Sequence, residues 1–132
     1  MDNSQKRILV VEDDTALRDL YVQILTDNAF EVESAADGQA AFEAMKKGGY
    51  DLVLLDIILP KVDGLTILEK LTTETPPQKP NFHIVILSNL GQDEAISKAM
   101  SLGAQGYLIK SDYTPGQVVE QVNHFLGMGE KN

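Results

Sequence analysis

The sequence predicts an α/β domain, a doubly wound (βα)5 arrangement with a central sheet of five parallel strands and helices on both faces. Three observations carry this. Apolar runs of strand length alternate with segments of helical period five times over. The runs are continuous rather than alternating, as strands covered on both faces require. The chain of 132 residues fits a single domain, because two would each be too small to bury a good core.

The elements follow in order. Ile8-Leu9-Val10-Val11 is the first strand. Leu17, Leu20, Tyr21, Ile24 and Leu25 recur at helical spacing, and Asp27-Asn28 marks the stop. Phe30 to Ser34 is a weak second strand. Asp37 is placed to cap a helix carrying Ala40, Ala41, Ala44 and Met45, which Gly48-Gly49 ends. Leu52-Val53-Leu54-Leu55 is the third strand and runs into Asp56. A loop with Pro60 and Gly64 leads to a helix with Leu65, Leu68 and Leu71. Thr72 to Asn81, with Pro76, Pro77 and Pro80, is a surface loop. Ile84-Val85-Ile86-Leu87 is the fourth strand, followed by a helix with Ala95, Ile96, Ala99 and Met100. Tyr107-Leu108-Ile109 is the fifth. Thr114-Pro115-Gly116-Gln117 then reads as an N-cap, a proline at N1 and the glutamine of a capping box, opening a helix striped by Val118, Val119, Val122, Phe125 and Leu126. Met45 and Met100 read as core packing, and the tail from Gly127 to Asn132 as frayed. One domain over residues 1–132 is expected, with its core at about 7–126.

Composition narrows the function. The chain has no cysteine and a net charge of −9. Disulfide scaffolds, zinc ribbons and thiol catalysis are thereby excluded. The acidic balance opposes direct nucleic-acid binding or attraction to anionic membranes. Met1 to Arg7 has no apolar signal core behind it. The apolar runs fall far short of the roughly 20 residues that cross a bilayer. A cytoplasmic location is expected.

In parallel sheets of this kind functional groups gather beyond the carboxyl ends of the strands. Glu12-Asp13-Asp14 closes the first strand, Asp56 the third, Ser88-Asn89 the fourth and Lys110 the fifth. Any one of these reads equally as a cap or a solvated turn, but the set delivers polar groups to one rim. Carboxylates so gathered repel: at ~4 Å two unit charges interact with about 4 kcal/mol at an effective dielectric of 20. Lys110 and a hard divalent cation relieve this, and oxygen ligands with open water positions suit Mg²⁺. A carboxylate beside Mg²⁺ can attack a phosphoryl group. Mg²⁺, Lys110 and the Ser88 hydroxyl would neutralise its oxygens. No Walker-type glycine loop is present, so the phosphodonor comes from elsewhere.

These segments resemble the receiver domain of two-component response regulators, the chemotaxis-regulator-like, flavodoxin-like fold, from about Arg7 to Leu126. Ile8 to Asp14 looks like the opening strand and acidic pair. Asp56-Ile57-Ile58-Leu59-Pro60-Lys61-Val62-Asp63-Gly64 looks like the phosphoacceptor segment. Val85 to Ser88 looks like the strand with the switch hydroxyl, and Gly103 to Lys110 like the segment with the aromatic switch and the lysine. The resemblance implies that Asp56 is phosphorylated by a sensor histidine kinase or phosphotransfer protein. It implies Mg²⁺ ligated directly by Asp13, with Glu12 the outer acid of the pair, together with Asp56 and the carbonyl of Ile58; Asp14 is the alternative ligand if the turn is shifted by one residue. Ser88 and Lys110 would hold phosphoryl oxygens, and Tyr107 would swing inward when Ser88 moves. The output would be a changed surface for a downstream protein target, or a phosphorylation-dependent homodimer. With no effector domain within the chain, a stand-alone receiver or a piece of a longer regulator is expected.

Three departures stand out: Ser111 where the family usually has proline, Asn89 where it has a small residue, and the long Thr72–Asn81 connection. A trans Lys110–Ser111 bond and a rerouted loop are expected, because a cis non-proline bond costs about 2.5–4 kcal/mol. Two rival readings are weaker. A haloacid-dehalogenase-type phosphatase needs a second acid two residues after its nucleophile, where this chain has Ile58. A receiver-like interaction module that takes no phosphate would have lost Asp56 or Lys110.

Overall fold

A computed structural model of the chain describes residues 5–89 and 91–127. Strands and helices alternate: β1 (Arg7–Val11), α1 (Thr15–Asp27), β2 (Glu31–Ala35), α2 (Gly38–Lys47), β3 (Leu52–Asp56), α3 (Gly64–Thr73), β4 (His83–Ser88), α4 (Asp93–Ser101), β5 (Gly106–Ile109) and α5 (Pro115–Phe125). The five strands form one parallel sheet in the order β2-β1-β3-β4-β5. This is the doubly wound order with its switch point beside β1 and β3.

The period of two along each strand sorts the core into two layers. Leu9, Val11, Val53, Leu55 and Ile86 face α2, α3 and α4, meeting Ala41, Met45, Ile67, Leu68, Ile96 and Ala99. Ile8, Val10, Leu52, Leu54, Val85, Leu87 and Leu108 face α1 and α5, meeting Tyr21, Leu25, Val118, Val119 and Val122. Both faces of β1, β3 and β4 are therefore apolar, which is why their sequences read as unbroken runs. Each such side chain contributes about 1.5–3 kcal/mol by leaving water.

Helix starts are fixed by side chains that accept the first free N–H groups. Asp14 accepts from Leu17, Asp37 from Ala40 and Asp63 from Thr66. Thr114 and Gln117 complete the expected capping box.

Several expectations are corrected. The second strand runs to Ala35 rather than Ser34. It is an edge strand whose Glu31, Glu33 and Ser34 face solvent, so it lacks an apolar run. The third helix extends through Thr73 into the expected loop, and the hydroxyls of Thr72 and Thr73 donate to the carbonyls of Leu68 and Glu69. Leu20 and Met100 are exposed. The inward row of α1 is Leu17, Tyr21 and Leu25, and Leu20 falls on its outer flank; in α4, Ile96 and Ala99 take the core positions. The expected frayed tail lies outside the described residues beyond Gly127.

No peptide bond among the described residues is cis, so Lys110–Ser111 is trans. The chain leaves β5 through a 3-10 turn at Lys110–Asp112 before Thr114 caps α5.

Candidate functional site

Glu12 lies one residue past β1, still tied to the sheet by its N–H donating to the Ala35 carbonyl at 3.1 Å. Its carboxylate is 1% exposed, and each of its oxygens accepts a hydrogen bond. Oε1 accepts from Lys110 Nζ at 2.6 Å and Oε2 from the Asp14 N–H at 3.1 Å. Its own carbonyl accepts from Arg18 Nη1 at 3.0 Å, so α1 pins the acidic turn from below. Asp13 points outward and is exposed, while Asp14 is committed to capping α1. One carboxylate oxygen from each of Glu12, Asp13 and Asp56 lies within 4.8 Å of the others. Asp13, not Asp14, is thus the acid brought together with Glu12 and Asp56.

Asp56 ends β3 and is 3% exposed. Its Oδ2 accepts from Lys110 Nζ at 2.7 Å and its Oδ1 from the Ile58 N–H at 3.2 Å. Burial pushes its pKa up to about 6; the hydrogen bond and charge of Lys110 pull the other way, and Glu12 adds to the rise. Burial alone would lower the Lys110 pKa. Its bonds to Asp56 and Glu12 outweigh that and leave the ammonium above its ordinary value. Lys110 is therefore charged at neutral pH, and three carboxylates against one ammonium leave two negative charges uncompensated.

Ser88 ends β4, with Asp56 at the end of the adjacent strand β3. Its Oγ is completely buried and has no hydrogen-bond partner among the described residues. A buried hydroxyl left unpaired costs about 1–3 kcal/mol. Tyr107 pairs with Ile86 in register, yet its ring is 48% exposed. It lines an open cleft of about 380 Å³ with Asp93, Ile96, Ser97 and Ile109. The ring therefore stands outward. The Ile58 side chain is exposed on the rim.

The loop after Asp56 depends on Gly64, whose N–H donates to the Ile57 carbonyl at 2.8 Å. A Cβ there would sit 2.7 Å from the Asp56 carbonyl oxygen. Sequence reading missed two parts of this arrangement: the Arg18 pin, and the glycine that seats the far end of the same loop, Gly38. Only the second left a signal, a glycine directly after the Asp37 cap.

The donor set fits a hard divalent cation. It offers oxygen alone, with more carboxylates than cations and beside it a buried hydroxyl that has no partner among the described residues. Chemically, a desolvated carboxylate flanked by a fixed ammonium and room for such an ion is equipped to take an electrophilic phosphorus.

The family model described as the response regulator receiver domain matches residues 8–123. The chemotaxis protein CheY of Treponema pallidum is 41% identical over 108 residues, spanning 79% of this chain and 72% of that protein. CheY of Halobacterium salinarum is 33% identical over 121 residues, 92% of this chain and 97% of that one. A CheY-like receiver domain protein from Methanospirillum hungatei superposes with a TM-score of 0.81 at 31% identity, covering 94% of this chain and 95% of that structure.

Proposed function

The chain belongs to the response regulator receiver domain family, and on that premise we propose that Asp56 is its phosphoacceptor and that Glu12, Asp13, Ser88 and Lys110 serve the transfer. Receiver domains are signalling switches that take their phosphoryl group from histidine kinases or phosphotransfer proteins. The observation that carries the assignment is the position of Lys110 Nζ, 2.7 Å from Asp56 and 2.6 Å from Glu12. A buried carboxylate is held there beside a fixed cation, with a second acid in reach.

In this reading a carboxylate oxygen of Asp56 attacks the phosphorus of a phosphohistidine. The new O–P bond forms as the P–N bond breaks, and the imidazole nitrogen keeps the electron pair. Lys110 turns from its carboxylate partners toward a phosphoryl oxygen. Ser88 gains the hydrogen-bond partner it lacks. The carboxylates of Glu12, Asp13 and Asp56 with the Ile58 carbonyl would hold Mg²⁺, which when bound supplies charge neutralisation at the phosphoryl oxygens. The movement of Ser88 draws Tyr107 inward and changes the surface formed by α4, β5 and α5. The same site would hydrolyse the acyl phosphate slowly. A protein target or a second copy reads that surface; with a net charge of −9, direct nucleic-acid binding is disfavoured. The cytoplasm is the compartment this reading implies.

The test is labelling by acetyl phosphate with and without Mg²⁺, located by mass spectrometry. Labelling is expected on Asp56 alone and only with the metal, and Asp56→Asn should abolish it because an amide is no nucleophile. Equal, stable labelling of the Asn variant overturns the assignment.

A further inference from the structure

The loop joining β3 to α3 is fixed at its base by Gly64 and at its tip by the first residue of a helix that contributes nothing to the acidic cluster. Gly38 opens α2 immediately after its Asp37 cap. Its φ is not in the left-handed region, so its backbone conformation does not ask for glycine.

The reason is contact: a Cβ at Gly38 would lie 1.4 Å from the carbonyl oxygen of Val62 and 2.8 Å from its Cα. The Gly38 N–H also donates to the Pro60 carbonyl at 3.1 Å. Between those two residues Lys61 sits at φ 71°, within a tight turn closed by the Val62 N–H on the Pro60 carbonyl at 2.8 Å. A non-glycine residue held there stores strain that persists only when its surroundings over-determine it. Those surroundings are α2, since the Lys61 ammonium also pairs with Asp37 at 3.4 Å.

We propose that Asp37, Gly38 and Lys61 form a latch that positions the Ile58 carbonyl for the divalent cation, with Gly38 its principal positioning residue. This rests on the reading of Mg²⁺ and Asp56 given above. Ile58 stands two residues before the latched turn, and its own N–H is bound to Asp56 Oδ1. Once base and tip are both fixed, the intervening carbonyls have little freedom. Release of the tip lets the segment relax at Lys61 and carries the Ile58 carbonyl with it.

The experiment is Mg²⁺ titration of the full chain by isothermal titration calorimetry, together with the Mg²⁺ dependence of acetyl phosphate labelling. Gly38→Ala is expected to raise the Mg²⁺ Kd about tenfold, the lower end of what losing outer support costs a metal site. The half-saturating Mg²⁺ for labelling should shift by the same factor, with the rate recovering at saturating metal, which a general loss of structure would not produce. Lys61→Gly removes the ion pair with Asp37 without crowding the core and should raise Kd about threefold, less than the loss of a full outer-shell partner. Gly116→Ala is the control. It also adds a methyl to the first turn of a helix, but there the nearest atom lies at 4.0 Å, and Kd should not change.

A folded Gly38→Ala with wild-type Kd overturns the latch. Should that variant fail to fold, an unchanged Kd in Lys61→Gly overturns it instead. A wild-type chain that binds no Mg²⁺ removes both this inference and the reading beneath it, whereas normal wild-type binding with an indifferent Gly38→Ala removes the latch alone.

Discussion

Both ends of the sheet hold a cation between two carboxylates, and the two arrangements behave in opposite ways. At the amino end of β1, Arg7 pairs with Glu33 at 2.8 Å and Glu31 at 3.6 Å, with its guanidinium stacked 4.7 Å from the Tyr50 ring. Tyr50 donates its hydroxyl to the second oxygen of Glu33 at 2.7 Å. All three charged groups are substantially exposed, and the bonds from Tyr50 and then Arg7 hold Glu33 below its ordinary pKa. At the carboxyl end, Lys110 sits between Glu12 and Asp56 at shorter distances, yet Asp56 is raised. Burial separates the two cases: the first cluster keeps its water and is content when ionised, while the second has lost water that one ammonium does not replace. Ion pairing alone therefore does not identify a reactive site. Ion pairing combined with desolvation, beside a buried hydroxyl that has no partner among the described residues, is what sets the candidate site apart.

The contrast can be broken at several points. The largest effect belongs to Asp56. A carboxylate raised to about 6 in the folded chain favours folding fully below the unfolded value near 4, and that contribution is lost as the pH rises through about 6. Without metal, Asp56→Asn should therefore stabilise the protein at pH 7.5 by on the order of 2–3 kcal/mol. The gain should shrink toward zero by about pH 4. Urea melts of both chains across that range measure it, and a gain independent of pH would place the cause elsewhere.

Mg²⁺ should act on the same liability, stabilising the wild-type chain by about 2.7 kcal/mol at one hundred times its Kd. It should leave Asp56→Asn much less changed, as thermal melts with and without the ion will show.

Ser88→Ala removes a buried hydroxyl that has no partner among the described residues. It should leave the unphosphorylated chain as stable as before or more so, by up to about 1 kcal/mol. The phosphorylated chain should show a weaker inward shift of Tyr107, read from its ring resonances by NMR.

The smallest effect belongs to the other end. Glu33→Gln should cost about 0.5 kcal/mol at neutral pH, because exposed pairs are screened. Its sign is the reverse of that for Asp56: the contribution of Glu33 is present above the ordinary glutamate pKa and is lost as the pH falls through the lowered folded value.

Sequence reading reached the elements that are buried on two faces and missed features decided by a single contact. β1, β3 and β4 were legible because both side-chain rows are apolar, and Glu12, Asp13, Asp56, Ser88 and Lys110 because parallel strands aim their ends at one rim. β2 was weak because an edge strand need be apolar on one side only. Leu20 and Met100 were assigned inward because helical period alone does not say which flank of an apolar stripe meets the sheet. Whether Asp13 or Asp14 would join the cluster depended on which became the cap of α1, and adjacent identical residues carry no such information. The orphaned state of Ser88 was invisible for a different reason: it is a property of what surrounds the hydroxyl.

The Lys110–Glu12 bond joins residues 98 apart in the chain, and Lys110–Asp56 spans 54. In folding terms, these contacts close long loops, whose entropic cost grows with the separation of their ends. Lys110 follows directly on β5, an edge strand held in the sheet by β4 alone. The cation of the acidic cluster is therefore supplied by the last strand of the chain, so on the proposed function competence to receive a phosphoryl group is tied to completion of the sheet.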